Sequence, residues 1–423
     1  MTTLDEWLAY LEQLHPKTID LGLARVAQVA QKLFSGSQQA CIITVGGTNG
    51  KGSTCAFLES ILLQAGYRVG LYTSPHLLRY HERVRVNGVM VDDSQLITAF
   101  EAIEAARGDV SLSYFEFGTL AAMQVFRATP LDVWILEVGL GGRLDAVNIL
   151  DADCAVVTSI DLDHTEYLGD SRELIGREKA GIFRLDRAAV CGDPQPPHSL
   201  RRYADEVGAK WLALGQAFTY RFNITDWDYR GTRKIDHLPF PALTGEHQLN
   251  NAATALAALD VVAGRLPVDD TAIRQGLMNT QLLGRFQRLE GLPQRILDVA
   301  HNPHGATVLA AALRQLPVPG ATWAVMAMLA DKDIAGVVAA MKGVVDHWLV
   351  ASLDMPRGAG AEQLRSILIA QGCGDVRIYS SPWDAWYAAC ELAAENDRIV
   401  AFGSFHTIAE LLRTENDRVG CVT

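Results

Sequence analysis

Short apolar runs rich in β-branched residues recur along the chain, with stretches of helical apolar spacing following or lying between them. In the first half the runs are Cys41–Val45, Val69–Tyr72, Val133–Val138 and Ala155–Ile160, with helical spacing over Thr54–Gln64 and Phe117–Arg127. Strands separated by helices need crossover connections, so these four predict a parallel sheet. A second series opens near Arg295, with Ile296–Val299, Trp323–Leu329, Trp348–Leu353, Val376–Tyr379 and Ile399–Phe402, again with helices between. Between the two series, Pro194–Pro241 is richer in Pro, Trp and Tyr and loses the rhythm. It reads as an antiparallel elaboration of the first domain. The second alternation starts after Leu283–Pro293, which places the domain boundary there.

Length and composition narrow this picture. At 423 residues the chain is too long for one ordinary core, and 49% hydrophobic with 20% charged residues is a globular balance. A formal charge of −12 argues against general nucleic-acid binding, which needs clustered Lys and Arg for phosphates. Met1–Leu14 carries Asp5, Glu6 and Glu12 and does not read as a secretory signal, and no apolar run is long enough for a membrane span. Seven scattered cysteines (Cys41, Cys55, Cys154, Cys191, Cys373, Cys390 and Cys421) contain no Cys-x-x-Cys pair and predict buried thiols in a reducing cytoplasm.

Candidate chemistry begins after the first apolar run, at Gly46-Gly47-Thr48-Asn49-Gly50-Lys51-Gly52-Ser53. Strand, glycine loop, lysine and helix suit a polyphosphate: glycines let backbone N–H groups approach, the helix N-terminus adds partial positive charge, and Lys51 adds a full one. The strict Walker spacing is not met, because Val45 stands at the first glycine position and Gly52 separates Lys51 from Ser53. Gly139-Leu140-Gly141-Gly142-Arg143-Leu144 misses the dinucleotide fingerprint at Leu144, and a dinucleotide reading is rejected. Ligands of an open parallel sheet gather beyond the carboxyl ends of its strands. There the second run leads into Thr73-Ser74-Pro75-His76, the third ends at Glu137, and the fourth leads into Asp161-Leu162-Asp163-His164. A hydroxyl, a carboxylate and an imidazole beside phosphates make a candidate Mg²⁺ site, although His164 is an unusual ligand for a hard cation and equally suits orienting a water or a carboxylate. The expected fold is therefore α/β, with a P-loop parallel-sheet ATPase domain over residues 1–284 and a smaller Rossmann-like α/β domain over 285–423.

Taken together, these residues resemble the Mur ligase superfamily and, within it, its folate branch of dihydrofolate and folylpolyglutamate synthases. The resemblance rests on Thr18–Leu23, Gly47–Ser53, Ser74–Leu77, Glu137–Ala146, Asp163–Thr165, Arg177–Ile182, Gly284–Gln287, Asp298–Pro303, Asp331–Asp333 and Gly403–His406, in family order. It implies an ATP-dependent ligase that adds L-glutamate to dihydropteroate and to tetrahydrofolates through an acyl phosphate. It also implies Mg²⁺, two ions in all, held in part by Ser74, Glu137 and His164. ATP is implied on Thr48, Asn49, Gly50, Lys51 and Ser53, with Asn251 (or Asn250 beside it), Arg285 and Asp298. The dihydropteroate pocket is implied at Asp20, Leu21, Gly22 and Leu23, at Tyr114, Phe115 and Glu116 with Ser113, and at Leu144, Asp145 and Ala146. Lys51, Lys179 and His301 are the implied catalytic positions, Lys179 as a carbamate. A more ordinary role would put Phe115 in the core and make Asp20 the cap of a helix starting near Leu21. The resemblance further implies a cytoplasmic monomer with small-molecule substrates only, no nucleic acid and no membrane. The rivals are a folylpolyglutamate synthase alone, a peptidoglycan Mur ligase, and an NTP-binding switch without ligase turnover.

Overall fold

The computed structural model describes residues 1–17, 19–34, 36 and 39–420, with side chains to 415; Thr18 of the Thr18–Leu23 run and Cys421 lie outside the described residues. Two compact units form. The first comprises Met1–Ala242 and Gln248–Gln281, the second Leu243–His247 and Leu282–Thr423. No described helix is long and apolar enough to cross a membrane.

The first unit is built on an eight-stranded sheet. Its order is Val89–Met90, Val84–Val86, Val69–Tyr72, Val133–Glu137, Cys41–Gly46, Cys154–Val157, Ala188–Cys191 and Lys210–Ala213. The last six strands run parallel, and the first two add an antiparallel edge. All six residues of Cys41–Gly46 are buried, as are all five of Val133–Glu137. Strands covered on both faces carry no polar alternation, and this is why these two stand out as continuous apolar runs. Helix Lys51–Gln64 packs against helix Asp270–Asn279. The approach is close: a Cβ on Gly276 would lie 2.5 Å from the Ile61 Cα, and Ser60 Oγ donates to the Gly276 carbonyl at 2.8 Å. The N-terminal helices Leu4–Leu14 and Ala24–Leu33 pack on Asp93–Arg107 and Tyr114–Arg127, with Trp7, Phe100 and Phe117 in edge and tilted ring contacts.

Pro194–Pro241 does hold a three-stranded antiparallel sheet, Thr219–Phe222, Trp227–Arg230 and Lys234–Leu238. It also holds helix His198–Val207 and the main-sheet strand Lys210–Ala213. The alternation therefore runs further than its pattern suggested. Lys210–Ala213 is a partly exposed edge, and Ala188–Cys191 is a short run weak in β-branched residues.

The second unit carries a six-stranded sheet in the order Gln287–Leu289, Gln294–Leu297, Arg398–Phe402, Thr322–Met326, His347–Ala351 and Val376–Tyr379. Its first pair is antiparallel and the others are parallel. All five expected strands form, and Gln287–Leu289 is an added edge. Its core gathers Ile296, Leu309, Met326, Trp348 and Phe402.

Candidate active site

Gly47 and Gly50 set the shape of the loop after Cys41–Gly46. Both have positive φ, 141° and 86°, which L side chains rarely adopt. A Cβ on Gly47 would sit 1.9 Å from Thr158 Oγ1, and one on Gly50 would sit 2.5 Å from Asn251 Oδ1. Thr158 and Ser159, past the neighbouring strand Cys154–Val157, fasten the loop. Thr158 Oγ1 donates to the Asn49 carbonyl at 2.6 Å, Ser159 Oγ donates to it at 3.0 Å, and Thr48 N donates to the Ser159 carbonyl at 2.6 Å. Thr48 Oγ1 donates to the Asp161 carbonyl and accepts from the Asp161 amide. Gly50 caps helix Lys51–Gln64 without a side-chain bond, so the first N–H groups of this helix are not taken by a capping side chain. Ser53 is buried in its first turn. Asn251, rather than Asn250, turns its side chain to Gly50, and Gln248 Oε1 holds its Nδ2 at 2.9 Å.

Two lysines converge on this loop. Lys51 Nζ donates to the carbonyls of Gly47 and Thr48, both at 3.2 Å. Lys179, buried on helix Arg172–Ala180, donates to the same Gly47 carbonyl at 2.9 Å. Burial, and then the Lys51 charge, bring the Lys179 ammonium down to about 7, against the pull of Asp163 and Asp145. The helix is drawn close because Gly142 has no side chain: a Cβ there would meet the Glu178 and Lys179 carbonyls at 2.9 Å.

Glu137 ends its strand in register with Val45 and is buried; its Oε2 accepts from the Ser74 amide at 3.1 Å. The strand before His164 ends at Val157, so His164 reaches the site on a longer loop than expected. It adopts a left-handed conformation (φ 51°), with its amide on Asp163 Oδ1 at 2.9 Å and its Nε2 4.0 Å from Asp163 Oδ2. Ser74 and Glu137 supply the hard oxygen donors that Mg²⁺ favours, and Asp163 adds a carboxylate beside the imidazole, so this donor set fits the ion.

A third group surrounds helix Tyr114–Arg127. Phe115 is half-buried, its ring against Gly139, where a Cβ would lie 2.5 Å from Phe115 Cζ, and 6.1 Å from the Tyr72 ring. Asp145 is buried; its carboxylate accepts from the Leu140 and Val147 amides at 2.8 and 3.0 Å, and burial raises it to about 6. Leu144 is half-buried and Ala146 buried. Asp20 does not cap a helix. The helix starts at Ala24, Leu23 stands at its cap without a side-chain bond, and Leu21, Gly22 and Leu23 are half-buried. Asp20 instead pairs with Arg25 at 2.7 Å and His15 at 3.1 Å, and Arg25 also reaches buried Glu116 at 3.1 Å.

In the second unit, Arg285 lies with its guanidinium 5.2 Å from the Phe405 ring centre. Asp298 accepts from the Phe286 and Ala300 amides, both at 2.8 Å. His301 Nδ1 donates to the Val299 carbonyl at 2.9 Å, and Asn302 caps helix Pro303–Gln315 through the Gly305 amide. Sequence reasoning did not single out Asp163 as a contributor to the lysine's field. Asp163 could have been found from its place in the Asp163-His164-Thr165 run. One Asp–Asp–His grouping among the described residues, Asp226, Asp228 and His237, lies on the antiparallel sheet, with its atoms shared among Asn223, Arg230 and one another.

Comparison with known proteins extends this picture. The Mur ligase middle domain family matches residues 45–259, and the Mur ligase glutamate ligase domain family matches 284–405. The dihydrofolate synthase/folylpolyglutamate synthase of Escherichia coli K12 is 50% identical over 418 residues, 98% of this chain and 96% of that protein. The structure of E. coli FolC in complex with DHPP and ADP superposes with a TM-score of 0.94 at 50% identity, covering 99% of this chain and 98% of the other. A bifunctional folylpolyglutamate synthase/dihydrofolate synthase with Mn, AMPPNP and L-glutamate bound gives 0.91 at 48% identity, with 98% of each chain covered.

Proposed function

The chain belongs to the dihydrofolate synthase/folylpolyglutamate synthase family of Mur ligases, and from that footing we propose how its residues carry the reaction. It is an ATP-dependent carboxylate–amine ligase that adds L-glutamate to dihydropteroate and to tetrahydrofolates. The single observation that carries the residue assignment is the meeting of Lys51 and Lys179 on the Gly47 carbonyl, inside a glycine loop at a helix N-terminus.

In this reading the loop amides of Thr48–Lys51 cradle the ATP phosphates, with Lys51 countering their charge and Asn251 fixing the loop. Ser74, Glu137 and His164 would hold magnesium, with Asp163 beside His164, and the ion would supply charge neutralisation to the phosphates. An oxygen of the acceptor carboxylate attacks the γ-phosphorus, and the bond to the ADP oxygen breaks. The glutamate amine then attacks the acyl carbon, phosphate leaves, and the amine's proton passes to solvent. Lys179, with a sizeable neutral fraction near pH 7, would add its Nζ to CO₂ with loss of a proton, and the carbamate would offer an anionic oxygen to a second magnesium. Asp20–Leu23, Tyr114–Glu116 and Leu144–Ala146 line the acceptor pocket. In the second unit (residues 285–423 in the proposed division), Arg285 and Asp298 stand at the family's nucleotide positions and His301 at a catalytic one.

The test is direct. The protein is incubated with ATP, Mg²⁺, L-glutamate and either dihydropteroate or tetrahydrofolate, and the products are weighed. Each should gain one glutamyl residue or more, with glutamate-dependent ADP release. ADP release indifferent to glutamate would leave a nucleotide-binding module, and turnover only with a nucleotide-sugar acceptor would leave a peptidoglycan ligase.

A further inference from the structure

Arg83 closes the short 3-10 helix Tyr80–Arg83, and its own backbone ties it beside the Ser74 loop: Thr73 N donates to the Arg83 carbonyl at 3.0 Å. Its side chain is half-buried and tightly fixed. Nε donates to His76 Nδ1 at 2.8 Å, and the guanidinium lies 5.5 Å from the ring centres of both Tyr80 and Tyr114. Those two rings are themselves edge-on at 6.0 Å. The guanidinium is thus held between two aromatic walls, a geometry that orients it and strips some of its water.

What is missing is an anion. Glu82, adjacent in the chain, spends both oxygens on the amides of Leu77, Leu78 and Arg79 at 2.6–2.7 Å. Among the described residues no carboxylate forms an ion pair with Arg83, and its terminal nitrogens meet no acceptor. Most other half-buried arginines of this unit are paired: Arg25 with Asp20 and Glu116, Arg85 with Glu59, Arg233 with Asp260. A fixed, partly desolvated guanidinium without a counter-charge is a ready receptor for a carboxylate. On one side it meets His76 of the Ser74–His76 run, and on the other Tyr114, with Phe115 next in the helix. Tyr72, whose ring contacts Phe115, lies within electrostatic reach of both Arg83 and Asp145.

We propose that Arg83 binds the carboxylate of the folate acceptor and holds it between the Ser74 loop and the aromatic wall. The inference rests on the acceptor pocket assigned above. Arg83 then determines affinity for the anionic end of the acceptor, not for its ring system, and has no part in binding ATP.

The experiment pairs a change in the protein with a change in the ligand. Binding of dihydropteroate, and of the same molecule with hydrogen in place of its carboxylate, is measured by calorimetry on the full chain with ADP and Mg²⁺ present. Wild type should prefer the carboxylate by about tenfold or more, Arg83→Gln should bring the two ligands together, and Arg83→Lys should restore part of the difference. ADP affinity and the melting temperature should stay near wild type. An undiminished preference in Arg83→Gln overturns the proposal, as does a wild type with no preference. If Arg83→Gln does not fold, Arg83→Lys decides, since its preference must then be smaller than the wild type's. Phe115→Ala tests the pocket separately: if it leaves both ligands bound as in wild type, the pocket assignment fails, whatever Arg83 does.

Discussion

Lys51 and Lys179 both donate to the Gly47 carbonyl, and Lys179 does so with almost no water around it. With its proton affinity lowered to about 7, the folded chain binds fewer protons than the unfolded chain from about pH 7 up to the ordinary lysine value of 10.5. Stability must therefore rise with pH across that window, and the cost of burial is at its full value below it. Lys179→Met should flatten that rise in CO₂-depleted buffer, read as melting temperature against pH; a slope equal to the wild type's would remove Lys179 as its source. Lys179→Ala should lose ligation and regain a part of it with small carboxylates, if a carbamate is the working group. Asp145 presents a different case. Its oxygens already serve the Leu140 and Val147 amides, so Asp145→Ala orphans both and should cost about 1–3 kcal/mol in denaturant unfolding. Dihydrofolate synthesis should fall further than glutamate addition to tetrahydrofolate; equal losses would mark Asp145 as scaffold alone.

At the scale of elements, strand Cys41–Gly46, its loop and helix Lys51–Gln64 act as one device whose tightness depends on missing side chains. Gly47→Ala would drive a methyl group into Thr158 and displace the loop, and a loop displaced by about 1 Å should lose about 10²-fold in kcat/KM for ATP while the fold persists. Steady-state kinetics beside a circular dichroism spectrum would check this. The device was legible because a buried central strand must be an unbroken apolar run and the turn after it must be glycine-rich. Asp20 was less legible: its acidic side chain ahead of an apolar stretch fits a cap, but its partners Arg25 and His15 are set by a tertiary turn that no local pattern encodes. Lys179 shows the same limit. Nothing in its local sequence distinguishes it from a solvent-facing helix lysine, since its burial comes from the close approach at Gly142. Arg83 was invisible, because a missing counter-charge is a property of the folded neighbourhood.

Taken whole, the molecule is an acidic body, −12 in formal charge, that must capture polyanionic ATP on a small cationic loop. The long-range field opposes the nucleotide and the local one attracts it, and salt screens the long-range field first. The association rate of Mg-ATP should thus rise between about 10 mM and 150 mM salt in stopped-flow measurements; a steady fall would mean that the loop's own field dominates at all distances.

The two units also share the chain unevenly, since Leu243–His247 belongs with the second although residues on both sides of it belong with the first. Within that pentapeptide Gly245 has φ 118°, and His247 is desolvated and senses Arg285 and His304. Inheritance of the second unit is therefore not modular. A recombinant gene that switches parents near codon 282 receives five of this unit's residues from one ancestor and the remainder from the other. Such a chimaera should melt below both parents until Leu243–His247 is exchanged as well, so that the unit passes intact only through two further crossovers on either side of a five-codon island.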